Sequence, residues 1–365
     1  MEIVFCYYDN VNYEARGAEE LTCLSELGHV SFVTHSYPNT IPNNVDPYVT
    51  KKKSYLEFVL LGKKVIRDVK PDIVFLHDDY CAIFIQYIKK TLPKCKIVYD
   101  MSELRIGGHI KGKHPLITKY LITDQEYEHL REVDLVMAAN IERAYIAKGY
   151  FRLDDIPLVF DNIHRIDDVV DYEACENKYG HLFENNIFTV IYTGGLVAKK
   201  ERDICGLIKT FEKLGRDYQL IVAGKTANDP EVDALIEHNA KNVGNINYLG
   251  RLTRAELKYL YSKSNINVVL FNLTVINNIY CASGKLYEGF FEGLPVLLSD
   301  NPPHVRLCND YGVGVVSKEG DYSEAIKKLQ SDYMTYKTNV KCYMESIDYD
   351  NRVHILREEI IKRLQ

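Results

Sequence analysis

The chain has 365 residues, of which 46% are hydrophobic and 26% charged, a composition typical of a soluble globular protein. This length predicts two domains with a core each and excludes a disordered, collagen-like or coiled-coil chain. The 51 acidic and 45 basic residues give a net charge of −6. Because dedicated nucleic-acid-binding proteins are usually basic, no nucleic-acid partner is expected.

The first half of the chain alternates short apolar runs with amphipathic stretches. Strands are predicted at Ile3–Tyr8, Val30–Thr34, Ile73–Leu76, Lys96–Tyr99 and Leu135–Ala138. Helices are predicted at Ala15–Leu27, Tyr55–Val69, Ala82–Thr91 and Ile117–Glu132. Continuous apolar strands that alternate with helices are typical of a parallel sheet covered on both faces. The first half therefore predicts a parallel α/β domain.

A stretch rich in Asp, Asn and His, from Asp154 to Asn186, interrupts this pattern and predicts a crossover between domains. Strands then resume at Ile187–Tyr192, Gln219–Ala223, Ile246–Tyr248, Asn267–Leu270, Pro295–Ser299 and Val313–Val316. Helices are predicted at Asp203–Leu214, Asp229–Asn239, Arg254–Ser262, Lys285–Phe291, Tyr322–Ser331 and Tyr349–Leu364. We predict two α/β domains, residues 1–165 and 166–347, that face each other across a cleft. The segment 348–365 is predicted to cross back to the first domain.

The cysteines and the N-terminus indicate the expected cellular compartment. The nine cysteines include no CxxC pair, which argues against a metal cluster or a disulfide framework and favours reduced thiols. The N-terminus lacks the basic segment of a signal peptide, and no run of about 18 apolar residues would span a membrane. We therefore expect a cytoplasmic protein.

One long stretch of the first half is basic. From Lys51 to Lys119 there are 15 basic and 7 acidic residues, an excess of eight positive charges. A solvated protein surface is one interpretation. The other is a peripheral contact with an anionic membrane leaflet, on the inner face of the membrane.

The segment that begins at Ser283 and Gly284 is the most informative for chemistry. Small residues at a helix start leave backbone N–H groups that can face an anion. Lys285 adds a positive charge there, and Glu288 lies one turn further on the same helix face. Such a pair can hold a phosphate and a ribose hydroxyl pair. A surface ion pair on a capped helix is the alternative.

A second segment ends a predicted strand in two glycines, Gly194 and Gly195. Glycines allow the backbone to approach a ligand closely. Three basic side chains follow, at Lys199, Lys200 and Arg202. No third glycine completes a dinucleotide-binding fingerprint, so a plain turn is the alternative.

In the order of these segments, the chain resembles glycosyltransferase family 4, which comprises retaining enzymes of the two-domain GT-B fold. Lys285…Glu288…Gly293-Leu-Pro-Val296 resembles the family's K-x-x-E-x-x-x-x-G-x-P-V segment. Tyr192-Thr-Gly194-Gly195…Lys200 resembles the loop that opens its donor domain. In the first half, Pro71-Asp72…His77-Asp78 and Ile97-Val-Tyr-Asp100-Met-Ser-Glu103-Leu104 resemble its "PD…HD" and "VYD-x-H-E-L" segments.

The resemblance implies transfer of a sugar from a nucleotide-diphosphate sugar to a glycan or lipid-linked acceptor, in bacterial polysaccharide or cell-envelope synthesis. It assigns catalytic roles to His77, Lys200, Lys285 and Glu288. It assigns donor binding to Gly194, Gly195, Arg202, Gly224, Arg251, Tyr280, Ser283 and Gly284, and acceptor contacts to Arg16, Glu19 and Glu103. A UDP-sugar is expected ahead of a GDP-sugar. No cofactor and no metal are expected, because no D-x-D motif lies in the predicted donor cleft.

Three positions depart from the family pattern. Tyr280 stands where a glutamate is frequent, Gly195 near where an arginine is frequent, and Ser102 replaces the histidine of "H-E-L". These departures keep open a non-catalytic GT-B partner subunit of another transferase. A nucleotide-sugar epimerase on the same fold is the other alternative. It needs carboxylates and histidines around the donor sugar, and the cleft region of the second domain has few of them.

Individual residues also have alternatives. For His77 the alternative is a structural histidine with satisfied hydrogen bonds. For Arg16 and Glu19 it is an ion pair on the protein surface.

Overall fold

A computed structural model describes residues 1–8, 10–13, 15–52, 54–106, 119–183, 187–198, 202–226 and 228–365. The chain divides into two compact units. One comprises Met1–Asn162 and Asp348–Gln365, and the other Ile163–Ile347. The sequence analysis placed the corresponding limits at residues 165 and 347. The C-terminal segment returns to the first unit, as predicted.

The first unit is built on a parallel sheet. Its strands are β1 Glu2–Tyr7, β2 His29–Thr34, β3 Val45–Val49, β4 Ile73–His77, β5 Lys96–Met101, β6 Leu135–Ala138 and β7 Leu158–Val159. Within the described residues they lie in the order β3-β2-β1-β4-β5-β6-β7. The α-helices between them are α1 Ala15–Leu27, α2 Tyr55–Val69, α3 Ile83–Thr91, α4 Asp124–His129 and α5 Ile141–Phe151.

The second unit repeats this architecture. Its strands are β8 Phe188–Thr193, β9 Tyr218–Ala223, β10 Ile246–Gly250, β11 Ile266–Val269, β12 Val296–Ser299 and β13 Gly314–Ser317, in the order β10-β9-β8-β11-β12-β13. Its α-helices are α6 Tyr172–Tyr179, α7 Ile204–Leu214, α8 Pro230–Asn242, α9 Arg254–Lys263, α10 Ile276–Ile279, α11 Gly284–Phe291, α12 Pro302–Tyr311, α13 Ser323–Ser331 and α14 Tyr333–Glu345. The last helix, α15 Arg352–Leu364, belongs to the first unit.

Each sheet is the centre of an apolar core. In the first unit, Phe5, Phe32 and Phe75 are fully buried on neighbouring strands, and α15 contributes Leu356 and Ile360 to the same cluster. In the second unit, α7 packs its apolar face on the strands β8 and β9. Two separate cores explain why the alternation of strands and helices is readable along the whole chain.

Helix ends follow local capping signals. The Ser54 side chain accepts a hydrogen bond from the Glu57 N–H at the start of α2. At the start of α9, Thr253 and Glu256 form a capping box. Gly312 ends α12 in the left-handed conformation, at φ 61°. None of the helices in the described residues combines the length and the hydropathy that a bilayer span requires.

The sequence analysis did not include every element. Strand β3 contains Pro47, which has no N–H, so it is tolerated only because β3 lies at a sheet edge. Strand β7 has only two residues. The helix predicted over Ile117–Glu132 is shorter: a π-helical turn at Lys119–Thr123 leads into α4, and residues 117 and 118 lie outside the described residues.

Candidate functional site

Three glycines lie where β8, β9 and β10 end. The Gly194 N–H donates to the Ala223 carbonyl at 2.9 Å, and the Gly224 N–H to the Gly250 carbonyl at 2.8 Å. Gly194 and Gly224 have φ values of 142° and 154°. A Cβ on Gly224 would lie 1.7 Å from the Gly194 carbonyl oxygen, so no larger residue fits. In parallel sheets this carboxyl edge is where ligands bind.

Lys285 brings a cation to these glycines. It lies in the first turn of α11, and its Nζ donates to the Thr193 carbonyl oxygen at 3.2 Å. A Cβ on Gly194 would lie 2.7 Å from the same Nζ. Burial, together with the nearby Arg202, lowers the pKa of Lys285 to about 8. A bound anion would therefore stabilise the charged form of Lys285.

Glu288 lies one turn after Lys285 and has its own supporting groups. The Tyr261 hydroxyl donates to Glu288 Oε2 at 3.5 Å and lies 2.7 Å from Thr193 Oγ1. Arg254 approaches Glu288 Oε1 at 3.8 Å. Burial raises the pKa of Glu288, although Arg254 and Lys285 act in the opposite direction. The sequence analysis missed Tyr261 and Thr193, because only the fold brings them to this carboxylate.

Close backbone packing fixes the position of α11. A Cβ on Gly289 would lie 2.6 Å from Asn267 Nδ2, and the same amide donates to the Lys285 carbonyl oxygen at 2.9 Å. At the start of α11, a Cβ on Gly284 would lie 2.1 Å from the ring of His164. Two glycines thus allow a strand and the crossover segment to contact the helix directly. His164 and Asn267 were not identified from the sequence.

The remaining predicted donor residues lie around the same edge. Ser283 occupies the N-cap position of α11, and its side chain makes no capping hydrogen bond. Arg202 lies over the Phe271 ring at 4.8 Å. Among the described residues, no atom lies within 4 Å of a Cβ placed on Gly195. Arg251 is exposed just after β10, and Tyr280 ends α10. Lys199 and Lys200 lie outside the described residues.

The segment that carries Tyr280 is anchored by buried polar contacts. Asn301 donates to the Asn278 carbonyl at 2.8 Å, and His304 Nε2 lies 3.2 Å from Cys281 Sγ. Ser299, at the end of β12, accepts from the Phe271 N–H at 2.8 Å. These contacts fix a loop at the carboxyl ends of β11 and β12, next to α11.

In the first unit, Arg16 and His77 belong to a buried charge network with Glu20 and Asp100, which the sequence analysis did not assign to a site. The Arg16 guanidinium is 1% exposed and donates to both oxygens of Asp100, at 2.6 and 2.5 Å, and also to the Phe160 carbonyl. His77 Nδ1 lies 2.7 Å from Glu20 Oε2. Burial raises the pKa of Glu20 to about 8. For Asp100 the Arg16 charge outweighs burial and lowers the pKa to about 2.

This network decides one of the open alternatives. A surface ion pair is wrong for Arg16, because its guanidinium is buried against Asp100. Glu19 does not pair with Arg16 in the contacts described but with Arg352, at 3.0 Å. Glu20, His77 and Asp100 offer ligand atoms within 4.8 Å of one another. Arg16 already engages both oxygens of Asp100, so the group is organised as a salt-bridge network.

Comparison with known sequences finds a family match over part of the chain. Residues 176–343 match the family model described as "Glycosyl transferases group 1". An uncharacterized glycosyltransferase of Methanocaldococcus jannaschii is 25% identical over 265 residues, which are 68% of this chain and 61% of that protein. The alignment therefore spans less than two thirds of that protein's length.

Solved structures share the architecture. Anabaena HepE in complex with UDP has a TM-score of 0.71 and 13% identity, covering 99% of this chain and 100% of that one. WaaG, a glycosyltransferase involved in lipopolysaccharide biosynthesis, has a TM-score of 0.68 and 14% identity, covering 98% and 99%. At such identities the likeness establishes the GT-B fold.

Proposed function

We propose that the chain, whose residues 176–343 match the family model described as "Glycosyl transferases group 1", transfers a sugar from a nucleotide-diphosphate sugar to an acceptor, with retention of configuration. The observation that carries the proposal is the pair formed by Lys285 and Glu288 beside the glycine backbone. It supplies a half-buried ammonium, a carboxylate and a helix start at one sheet edge.

Each group has a distinct task in this proposal. Lys285 and the N–H groups at the start of α11 bind the diphosphate, which gains negative charge as its bond to the sugar breaks. Fixed positive groups aimed at that charge stabilise the transition state. Glu288 accepts hydrogen bonds from the ribose hydroxyls. Lys200 is proposed as a second cation on the diphosphate and His77 as a contact to the sugar.

We further propose UDP as the leaving nucleotide and a glycan or lipid-linked molecule as the acceptor. The UDP complex of HepE supports the first point. The lipopolysaccharide pathway of WaaG supports a role in cell-envelope glycan synthesis. The basic stretch 51–119 supports peripheral contact with an anionic leaflet at the cytoplasmic face.

A thermal-shift series with UDP, GDP, ADP, TDP and CMP tests the donor site. A nucleotide at about 100 times its dissociation constant adds about 2.7 kcal/mol of stability. We expect UDP to stabilise the wild type and not Glu288→Ala. The control is Glu324→Ala, which removes a side chain that is 90% exposed and should leave the UDP shift intact. If no nucleotide shifts the wild type, the donor site is refuted and the partner-subunit alternative is favoured.

A further inference from the structure

Glu20 is a buried acidic residue outside the roles described above. It lies in α1 and is fully buried, and its Oε2 lies 2.7 Å from His77 Nδ1. The His77 ring ends β4, is 3% exposed and packs on the Tyr7 ring at 4.6 Å. A contact this short between a carboxyl oxygen and a ring nitrogen contains a proton. The charges around this pair decide how many protons it holds.

The surroundings of the pair favour a net charge of zero on it. Arg16 and Asp100 face it from α1 and β5, and they form an ion pair with each other at 2.5 Å. Arg16 Nε lies 3.5 Å from Glu20 Oε1. The other titratable neighbours are Cys23 and Asp78, and burial raises the pKa of both. Because an uncompensated buried charge is costly, the pair keeps the proton that neutralises it.

A neutral pair has two forms, and both place a proton on His77 Nε2. In one form the carboxylic acid donates to Nδ1, so the neutral imidazole carries its hydrogen on Nε2. In the other form an imidazolium donates to the carboxylate, and both ring nitrogens carry hydrogens. Asp100 is a competing acceptor for the shared proton, but Arg16 already donates to both of its oxygens. The shared proton therefore lies in the 2.7 Å contact.

The acidity of the carboxyl group limits the pH range of this arrangement. Burial, together with Asp100, raises the pKa of Glu20 to about 8. Above that pH the pair loses its extra proton, the neutral imidazole donates from Nδ1 to the carboxylate, and Nε2 becomes an acceptor. Below that pH Nε2 is a hydrogen-bond donor and does not accept a proton from a hydroxyl group.

We propose that Glu20 is a positioning residue that keeps His77 as an N–H donor, and that Nε2–H donates to an oxygen of the transferred sugar. This assignment rests on the proposed transfer reaction and on the sugar contact proposed there for His77. It makes His77 a group that binds the sugar and excludes proton abstraction by Nε2 at neutral pH. The sequence did not indicate it, because Glu20 lies 57 positions from His77.

Long-range proton–nitrogen NMR of the full chain, labelled with nitrogen-15 histidine, locates the proton. His77→Gln identifies the His77 signals by their loss. In the wild type we expect a protonated Nε2 at pH 7.5 and a bare one at pH 9.5. Glu20→Gln should keep Nε2 protonated at both pH values, because its amide N–H donates to Nδ1 while its oxygen faces Arg16. Glu20→Met leaves Asp100 Oδ2 beside Nδ1, at 3.4 Å, and should give a bare Nε2 at pH 7.5.

Nucleotide and nucleotide sugar are then added in turn to test the contact with the sugar. The probes are UDP, followed by an equal mixture of UDP-glucose, UDP-galactose and UDP-N-acetylglucosamine. With the wild type, the mixture should shift the Nε2–H signal and UDP alone should not. Calorimetry with the UDP-sugar that shifts the signal should give an affinity about fivefold weaker in Glu20→Met and unchanged in Glu20→Gln. The UDP affinity should be the same in all three proteins.

Glu26→Met is the matched control. Glu26 lies in the same helix and pairs with Arg357 at 3.1 Å on the protein surface, so its loss should leave Nε2 protonated and the UDP-sugar affinity unchanged. A bare Nε2 in the wild type at pH 7.5, or a protonated one in Glu20→Met, would overturn the proposal. A pH transition that persists in Glu20→Gln would do the same. So would a wild type that binds UDP but whose Nε2–H signal none of the three UDP-sugars shifts. A wild type that UDP does not stabilise refutes the proposed function itself.

Discussion

The carboxyl edges of the two sheets carry opposite chemistry on the same architecture. The second sheet ends in glycines whose backbone lies against the Lys285 ammonium. The first sheet ends in carboxylates, and arginines form ion pairs with them: Arg16 pairs with Asp100, and Arg105 with Asp79. One edge therefore suits a phosphate, whereas the other holds ion pairs between carboxylates and arginines.

The difference shows what a parallel α/β unit fixes and what it leaves open. The fold decides where a ligand can bind, since ligands of parallel sheets bind beyond the carboxyl ends of the strands. The residues in the first turn beyond each strand decide the ligand. At the edge of the second sheet, a glycine such as Gly224 has no side chain, so the backbone itself can contact a ligand. At the edge of the first sheet, Asp78 has a side chain although its backbone conformation favours glycine.

The largest change in the free energy of unfolding is expected from Arg16→Met in the first unit. The substitution leaves Asp100 and Glu20 buried without their cation, and breaking a buried pair in this way costs about 3–5 kcal/mol. Chemical denaturation measures the loss. As a control, Arg67→Met removes an exposed pair with Asp68 and should change the stability by less than about 1 kcal/mol. Equal effects of the two variants would contradict the structural role given to Arg16.

A smaller loss of stability, together with weaker UDP binding at the edge of the second sheet, is expected from Gly289→Ala. The added methyl group would contact Asn267 at 2.6 Å and push α11 away from β11. Overpacking of this kind costs about 1–3 kcal/mol, and UDP binding should weaken because Lys285 moves with the helix. Gly17→Ala is the matched control, since its methyl group would contact the Tyr7 ring at 2.7 Å in the first unit. It should lower stability and leave the UDP affinity unchanged; weaker UDP binding in both variants would argue against a separate donor edge.

The pH dependence of UDP affinity tests the charge at the second edge. The pKa of Lys285 is lowered to about 8, so the ammonium is mostly protonated below pH 8 and loses its charge above it. We expect calorimetry to give a constant affinity up to about pH 8 and a fall of at most about tenfold per pH unit above it. Lys285→Arg keeps its charge and should give a flat profile. A wild-type affinity that stays flat to pH 9.5 would contradict this role of Lys285.

The sequence predicted the fold well because its signals are local. The inner strands are dominated by apolar residues, and helices such as α2 begin at a capping residue. The edge strand β3 was not predicted because Asp46 and Pro47 break the apolar run, and β7 because two residues carry no pattern. The placement of Lys285 and Glu288 on one helix face was also readable, since it depends only on helical spacing.

The groups that support Glu288 and the start of α11 could not be predicted, because they depend on contacts between residues that are far apart in the sequence. Tyr261 reaches Glu288 from another helix, and His164 reaches Gly284 from the crossover segment. The burial of Arg16 depends on Asp100, which lies 84 positions away. The strain at Asp78 is a property of its backbone angles, which an aspartate in the sequence does not indicate. These features require the packed structure.

Hydrogen exchange of the whole chain, with and without saturating UDP, tests the central claim most directly. Bound ligands slow exchange in the segments that they hold closed. We predict slower exchange in peptides that cover the end of β8 and the start of α11, and no change in peptides that cover β4 and β5. Protection at the ends of β4 and β5, with none at α11, would contradict the assignment of the donor site to the second unit.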